Sequence, residues 1–220
     1  MLTKLQRLVV GAGLAVSLCL PAHALLITEI HADPQASIAG DANQDGTRHF
    51  SDDEFVELIN TASVALDLSG WSIHDAFAPR HYFADALTLA AGQALLVFGG
   101  GSPTGDFGGA LVQVASEGSL GLNNSGDTVS VYDELNQLVA SYSYGPEANS
   151  DQSIARNLAS PFAALTLHSS LSLSALPFSP GTDISGQPYA LAASMPIPEP
   201  SSWYLLAIGT ALLLRKQLAS

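Results

Sequence analysis

Short apolar runs recur along the first two thirds of the chain, each bounded by turn-forming residues. The runs are Leu25–Ile30, Phe55–Asn60, Trp71–Ile73, Ala94–Phe98, Leu111–Ala115, Thr128–Tyr132 and Leu138–Tyr144. The breaks between them are Asp67–Gly70, Ala91-Gly92, Gly99–Gly109, Asn123–Asp127 and Gly145-Pro146. No stretch in this region sustains a 3.6-residue apolar period over three turns. Runs of short strands without helices predict an all-β fold of sandwich type. Residues 159–194, rich in Ser, Ala and Pro and uncharged until Asp183, fit either a linker or the last part of the domain.

One strand carries a conflict. In Glu54–Asn60, alternation puts Phe55, Glu57 and Ile59 on one face, and Glu54, Val56 and Leu58 on the other. Each face is partly apolar and holds a carboxylate. A carboxylate buried without a partner costs several kcal/mol. Glu57 must therefore reach an arginine, a backbone donor or a cation, or sit at the rim.

The two ends follow different rules from the middle. Residues 1–24 read as a secretory signal peptide: Lys4 and Arg7, an uncharged apolar run Leu8–Leu20, then the small-x-small site Ala22-His23-Ala24. Cleavage there removes Cys19, the only cysteine, which suits an extracytoplasmic protein. Residues 191–200 form a linker carrying Pro198-Glu199-Pro200. Residues 201–217 follow, with the apolar run Trp203–Leu214 and a basic end at Arg215-Lys216. A membrane-crossing helix needs roughly 20 apolar residues, so this is a short span. The aromatic residues Trp203 and Tyr204 suit the outer interface and the basic pair the cytoplasmic side. This layout resembles the PEP-CTERM sorting signal. The resemblance implies handling by an exosortase, a transient inner-membrane intermediate, and release to the cell surface or beyond.

Charge narrows the function classes. The chain of 220 residues has a formal net charge of −13. Between residues 25 and 194 only Arg48, Arg80 and Arg156 face nineteen acids, and lysine is absent. That balance repels phosphate backbones and argues against nucleic acid as a partner. Without lysine there is no Walker-type phosphate loop or Schiff-base chemistry, so the glycine-rich stretch Gly99–Gly105 reads as a plain loop.

One segment has the spacing of a metal loop. Asp41, Asn43 and Asp45 fall at positions 1, 3 and 5, Gly46 at 6, Thr47 at 7 and Asp52 at 12. Calcium takes six to eight oxygens, and this order supplies them from a short turn, Thr47 through its carbonyl. Aspartate at position 12 is similar to dockerin-type loops, not to the EF-hand proper. No helical pattern precedes Asp41, and Arg48 stands where an apolar residue is usual. The expectation is a structural calcium loop, without a helix pair, between the first two strands. The alternative is a solvated acidic turn.

Catalytic patterns are thin. His74-Asp75 with His81 matches no metal-hydrolase spacing, and adjacent residues in a strand point apart. No G-x-S-x-G elbow occurs. The residues predict no catalytic activity, with a small secreted metal-dependent hydrolase using the acidic loop and His74 or His81 as the rival.

Several segments together support a family resemblance. Ile27-Thr28-Glu29-Ile30, Asp53–Asn60 and Leu66-Asp67-Leu68-Ser69-Gly70-Trp71 are followed by Leu122–Asp127, Asp151–Arg156 and Ser179-Pro180-Gly181-Thr182. In this order they resemble the lamin-tail domain in its bacterial secreted form. The resemblance implies an immunoglobulin-like β-sandwich over residues 25–190, with Trp71 in the core. The implied role is an exported binding or structural module, with exopolysaccharide or another surface matrix as the partner. The alternative is a membrane-anchored interaction module facing the periplasm.

Overall fold

The computed structural model describes residues 25–171 and 176–189. The signal peptide 1–24, the linker 191–200 with its Pro198-Glu199-Pro200 motif, and the hydrophobic segment 201–217 lie outside the described residues. The strands, in chain order, are β1 (Leu25–His31), β2 (Phe55–Asn60), β3 (Leu66–Asp67), β4 (Ser72–His74), β5 (Pro79–Tyr82), β6 (Thr88–Leu89), β7 (Ala94–Phe98), β8 (Leu111–Val114), β9 (Asp127–Tyr132), β10 (Leu138–Tyr144), β11 (Ile154–Ala155) and β12 (Thr166–Leu167). One helical turn, α1 (His168–Leu171), follows. The seven apolar runs each become a strand, to within one residue at either end. The five additional strands are two to four residues long, too short to show a period.

The strands form two main sheets, in agreement with an immunoglobulin-like sandwich. One is six-stranded, in the order β12-β11-β1-β2-β7-β8. The other is four-stranded, β10-β9-β4-β5, and β3 pairs with β6 in a small third sheet. Between the main sheets lies the principal core, with Ile27, Ile30, Val56, Leu58, Leu95 and Val97 from the first and Ile73, Val129 and Val131 from the second. A register shift between Ile27 and Glu29 explains how two residues three apart both point inward: the bulge at Thr28 changes the parity of the strand. Glu29 and His31 are thereby turned to the outer face.

Both faces of the larger sheet are covered at its centre. All residues of β2 and β7 are buried. A continuous apolar run such as Ala94–Phe98 is the sequence form of a strand buried on both sides. The outer face carries a second, smaller core of Ala42, Phe55, Leu96, Phe98 and Phe107, with Phe178 packed against it. Its rings meet at offset or edge-on angles, 5.6 Å between Phe55 and Phe98 and 5.3 Å between Phe98 and Phe107. Three segments supply the cover: the acidic loop through Ala42, residues 99–110 through Phe107, and residues 176–189 through Phe178. Residues 99–110 are there for a topological reason. Strands β7 and β8 run parallel, so the chain joining them must cross back along the sheet.

Leu95 sits fully buried in the principal core, whereas Val112 lies on the edge strand β8, 36% exposed. Truncating Leu95 to Ala is expected to cost about 2–5 kcal/mol. Val112→Ala is expected to stay within about 0.5 kcal/mol of the parent. Urea unfolding of the two variants beside the parent chain measures both.

Candidate functional site

The acidic loop folds around a single backbone nitrogen. The Asp45 N–H donates to Asp41 Oδ1 (3.2 Å) and to Asn43 Oδ1 (3.0 Å), so loop positions 1 and 3 converge on position 5. Asp41 Oδ2 accepts from Gly46 N (2.9 Å), and Asp45 Oδ1 accepts from Thr47 N (2.8 Å). Gly46 has φ +88°, the left-handed conformation that the sharp turn demands and that a side chain would strain. A single 3-10 turn, Ile38–Gly40, precedes the loop where an EF-hand would have a helix. Thr47 is exposed. Asp52 Oδ1 lies 3.0 Å from His49 Nδ1 and 3.3 Å from Ser51 Oγ. Asp53, which the spacing does not single out, is fully buried and ties the loop shut, accepting from Asn43 N (3.1 Å) and His49 N (2.7 Å). Burial raises its carboxyl above the ordinary aspartate value, against the pull of those N–H donors.

The glycine-rich stretch is the lid of this loop. Ser102 N donates to Asp45 Oδ2 (3.0 Å), Thr104 N to the Asn43 carbonyl (3.1 Å), and Gly100 N to the Asp52 carbonyl (3.2 Å). A Cβ on Gly101 would overlap the Asn43 amide and the Asp45 carboxylate, and one on Gly100 would overlap Asp52. The run of glycines is needed for this close approach of backbone to side-chain oxygens.

Positive charge is spent elsewhere. Arg48, the one arginine inside the acidic segment, donates to the carbonyls of Gln35 (2.7 Å) and Pro34. Arg156 donates to the carbonyls of Ile27 (3.1 Å), Pro161 (2.8 Å) and Ala163, and lies over the Tyr142 ring. Arg80 alone pairs with a carboxylate, reaching Asp75 Oδ2 from Nε at 2.8 Å. Among the described residues, no arginine forms a salt bridge with Asp41, Asp45 or Asp53. Among the described residues, no three His, Cys, Asp or Glu side chains gather closely enough to hold a metal ion. A cation at this loop would draw on Asp41 and Asp45 together with the Asn43 amide and main-chain oxygens.

The buried carboxylates of β1 and β2 make a second constellation. Glu29 and Glu57 stand opposite each other in the ladder, 1% and 0% exposed. Glu57 Oε1 accepts from Thr28 Oγ1 (2.6 Å) and Tyr189 Oη (2.6 Å), and Oε2 from Gly181 N (2.7 Å). Glu29 Oε1 accepts from Ser153 Oγ (2.6 Å) and Ser179 N (2.9 Å), and Oε2 from Ser179 Oγ (2.8 Å). Of the partners open to Glu57, the structure uses hydroxyls and a backbone donor. Burial pushes Glu57 up to about 8, and its neighbour Glu29 acts in the same direction. Burial also raises Glu29, against His168 and its hydrogen bonds. On the opposite face, burial raises Glu54 to about 8 although Leu122 N donates to it at 3.3 Å.

The histidines do not form one site. His74 Nε2 lies 3.0 Å from Ser72 Oγ, and its ring packs on Tyr132. His81 pairs with Gln113 Oε1 (2.6 Å) and Ser116 N (3.2 Å). Asp75 is taken by Arg80 and by the N–H groups of Phe77 (2.8 Å) and Ala78 (2.7 Å), which shape the turn between β4 and β5. Trp71 is half-buried against the principal core, its Nε1 donating to Glu134 Oε2 (3.0 Å). Among the described residues, no helix is long and apolar enough to cross a membrane.

No curated protein matches the chain. The profile of the Lamin Tail Domain family matches residues 21–146, more than half of its length, and those residues include the strands from β1 to β10 with the acidic loop and its lid. The chain belongs to the lamin tail domain family.

Proposed function

We propose that this protein is an exported binding or structural module, sorted by a PEP-CTERM-type tail, with calcium held at the acidic loop and no catalysis of its own. The observation that carries this reading is where the reactive side chains go. His74, Asp75 and His81 are each engaged separately in turns or strand contacts, and Glu29 and Glu57 lie together as a buried pair whose oxygens are taken by hydroxyl and backbone donors. The excess of acid, −13 over the chain, favours a partner that is neutral or reaches the protein through cations. An exopolysaccharide matrix outside the cell fits that description.

Calcium is supported by three features of the loop. The side chains at positions 1 and 3 share the backbone nitrogen of position 5, Gly46 takes the required left-handed turn, and among the described residues no arginine forms a salt bridge with Asp41 or Asp45. When bound, calcium would supply charge neutralisation there. Asp41, Asn43 and Asp45 would hold it, with the Thr47 carbonyl and Asp52 as the expected remainder.

Two measurements test the reading. Calcium modules of extracellular type bind at about 10⁻⁴–10⁻³ M. At 100-fold excess over its dissociation constant, calcium is expected to add about 2.7 kcal/mol to stability. Thermal melts in calcium and in chelator should differ accordingly, and Asp45→Ala should abolish the difference. Equal midpoints for the parent chain would remove calcium from the proposal. Intact mass and fractionation of the protein from its own host read the addresses. Release with an N-terminus at Leu25 and a C-terminus near Pro198–Pro200 supports sorting. Retention of the segment to Ser220 in the inner membrane would instead make the protein an anchored periplasm-facing module.

A further inference from the structure

Residues 176–189 lie beyond the family match and close over the outer face of the larger sheet. Of the six donors that reach the Glu29–Glu57 pair, four come from this segment: Ser179 N and Oγ, Gly181 N and Tyr189 Oη. The same segment seats Phe178 against the second core and leaves its Pro177 carbonyl to Ser153 N (3.0 Å). Gly181 has φ +79°, and a Cβ there would overlap the Phe107 carbonyl, so the segment is fitted tightly under the crossover.

The pair beneath it is short of positive charge. Directly opposed residues on antiparallel strands hold their Cβ atoms about 4.5–5.5 Å apart. Two carboxylates at that separation, both buried, cannot ionise together at low cost. The titratable groups that face them are few. His168 acts on Glu29 from α1, and Tyr189 faces Glu57 from the covering segment. On β1, burial drives His31 down to about 3, its ring lying between Phe55 and Phe178. β7 presents the uncharged Leu96 opposite Glu57, and β11 follows Ser153, whose contact is a hydroxyl. Among the described residues, no arginine is a hydrogen-bond donor to the pair.

The hydroxyls can accommodate a proton. Thr28 Oγ1 has a second acceptor in the Glu57 carbonyl (3.3 Å), and Ser153 Oγ has one in the Pro177 carbonyl (3.3 Å). Either can turn its hydrogen to that carbonyl and accept the O–H of a protonated carboxyl instead.

We propose that residues 176–189 are a strap that shuts over the Glu29–Glu57 pair while the pair holds a proton and loosens when that proton is lost to solvent. The strap is then closed in mildly acidic surroundings and opens as they turn alkaline. The direction follows from linkage. A carboxyl raised in the closed state takes up a proton on closing, so its contribution is fully present below the ordinary glutamate value of 4.5 and is lost as pH rises through about 8.

Hydrogen exchange of the full chain, read by mass on peptides from 176–189 and from β7, tests this after correction for the intrinsic pH dependence of exchange. The protection of the strap amides is expected to fall by up to about tenfold per pH unit between pH 5 and pH 8 and then level off. The β7 amides should stay better protected throughout. In Glu57→Gln the slope of the strap protection should weaken, because Glu29 alone remains to lose a proton. Should that variant fail to fold, Tyr189→Phe keeps both carboxyls, and its strap should exchange faster than the parent's at every pH with the slope retained. A parent strap whose protection is flat from pH 5 to pH 9, or one that exchanges only together with β7, overturns the proposal. So does a parental slope in Glu57→Gln.

Discussion

A polar group in a β-sheet buried on both faces is costly without a partner, and this constraint organises the molecule. Strands β2 and β7 are sealed from the four-stranded sheet on one side and from three long segments on the other. Glu29 and Glu57 sit inside that seal. Their oxygens would be costly there without donors. The donors come from Thr28 and Ser153, and from Ser179, Gly181 and Tyr189 far along the chain. The residues after β10 are thus part of the solution to a problem posed by β1 and β2. They are cover for the sheet, although the family match ends at residue 146.

Charge is distributed by the same logic. With three arginines in the described chain, each is used where it holds backbone or a single turn in place. Arg48 gathers the carbonyls before the acidic loop, Arg156 those after β11, and Arg80 braces Asp75 at the turn between β4 and β5. Guanidinium suits this use because its fork of donors can bridge several oxygens at once. The cost is an acidic loop whose carboxylates are held mainly by N–H dipoles. Such dipoles orient the oxygens without cancelling their charge.

What the sequence made legible was local. The alternation in Glu54–Asn60 placed Phe55, Glu57 and Ile59 on one face, and the structure keeps them there. The apolar run Ala94–Phe98 marked a strand, which the structure covers on both sides. The spacing of Asp41, Asn43, Asp45 and Gly46 foretold a turn that closes on itself, down to the left-handed glycine. What stayed hidden was either non-local or too short to carry a period. The bulge at Thr28, which lets Ile27 and Ile30 both face inward, has no signature in residue type. Strands β3, β6, β11 and β12 are two residues each. Gly99–Gly105 looks like any flexible loop until Asp45 and Asn43 are seen beneath it. Asp52 drew attention by its position, while its neighbour Asp53 is the residue that binds the loop ends together. The donors that Ser179 brings to Glu29, and Gly181 and Tyr189 to Glu57, could not be read at all, because a serine, a glycine or a tyrosine in a Ser- and Pro-rich stretch advertises nothing about a carboxylate more than a hundred residues away.

The bond between Ser179 and Glu29 spans 150 positions of sequence and joins the first strand to nearly the last described residues. Contacts of such range are slow to form, since the loop they close must surrender its entropy before they repay it. A chain that emerges amino-terminus first would present β1 long before the residues that complete its outer face have emerged. Until then β1 has an open edge where β11 belongs, and Glu29 on β1 and Glu57 on β2 face water. Those charges keep an otherwise sticky strand soluble while it waits. The acids that make the finished sheet demanding to assemble would thus protect it from pairing with the wrong partner on the way.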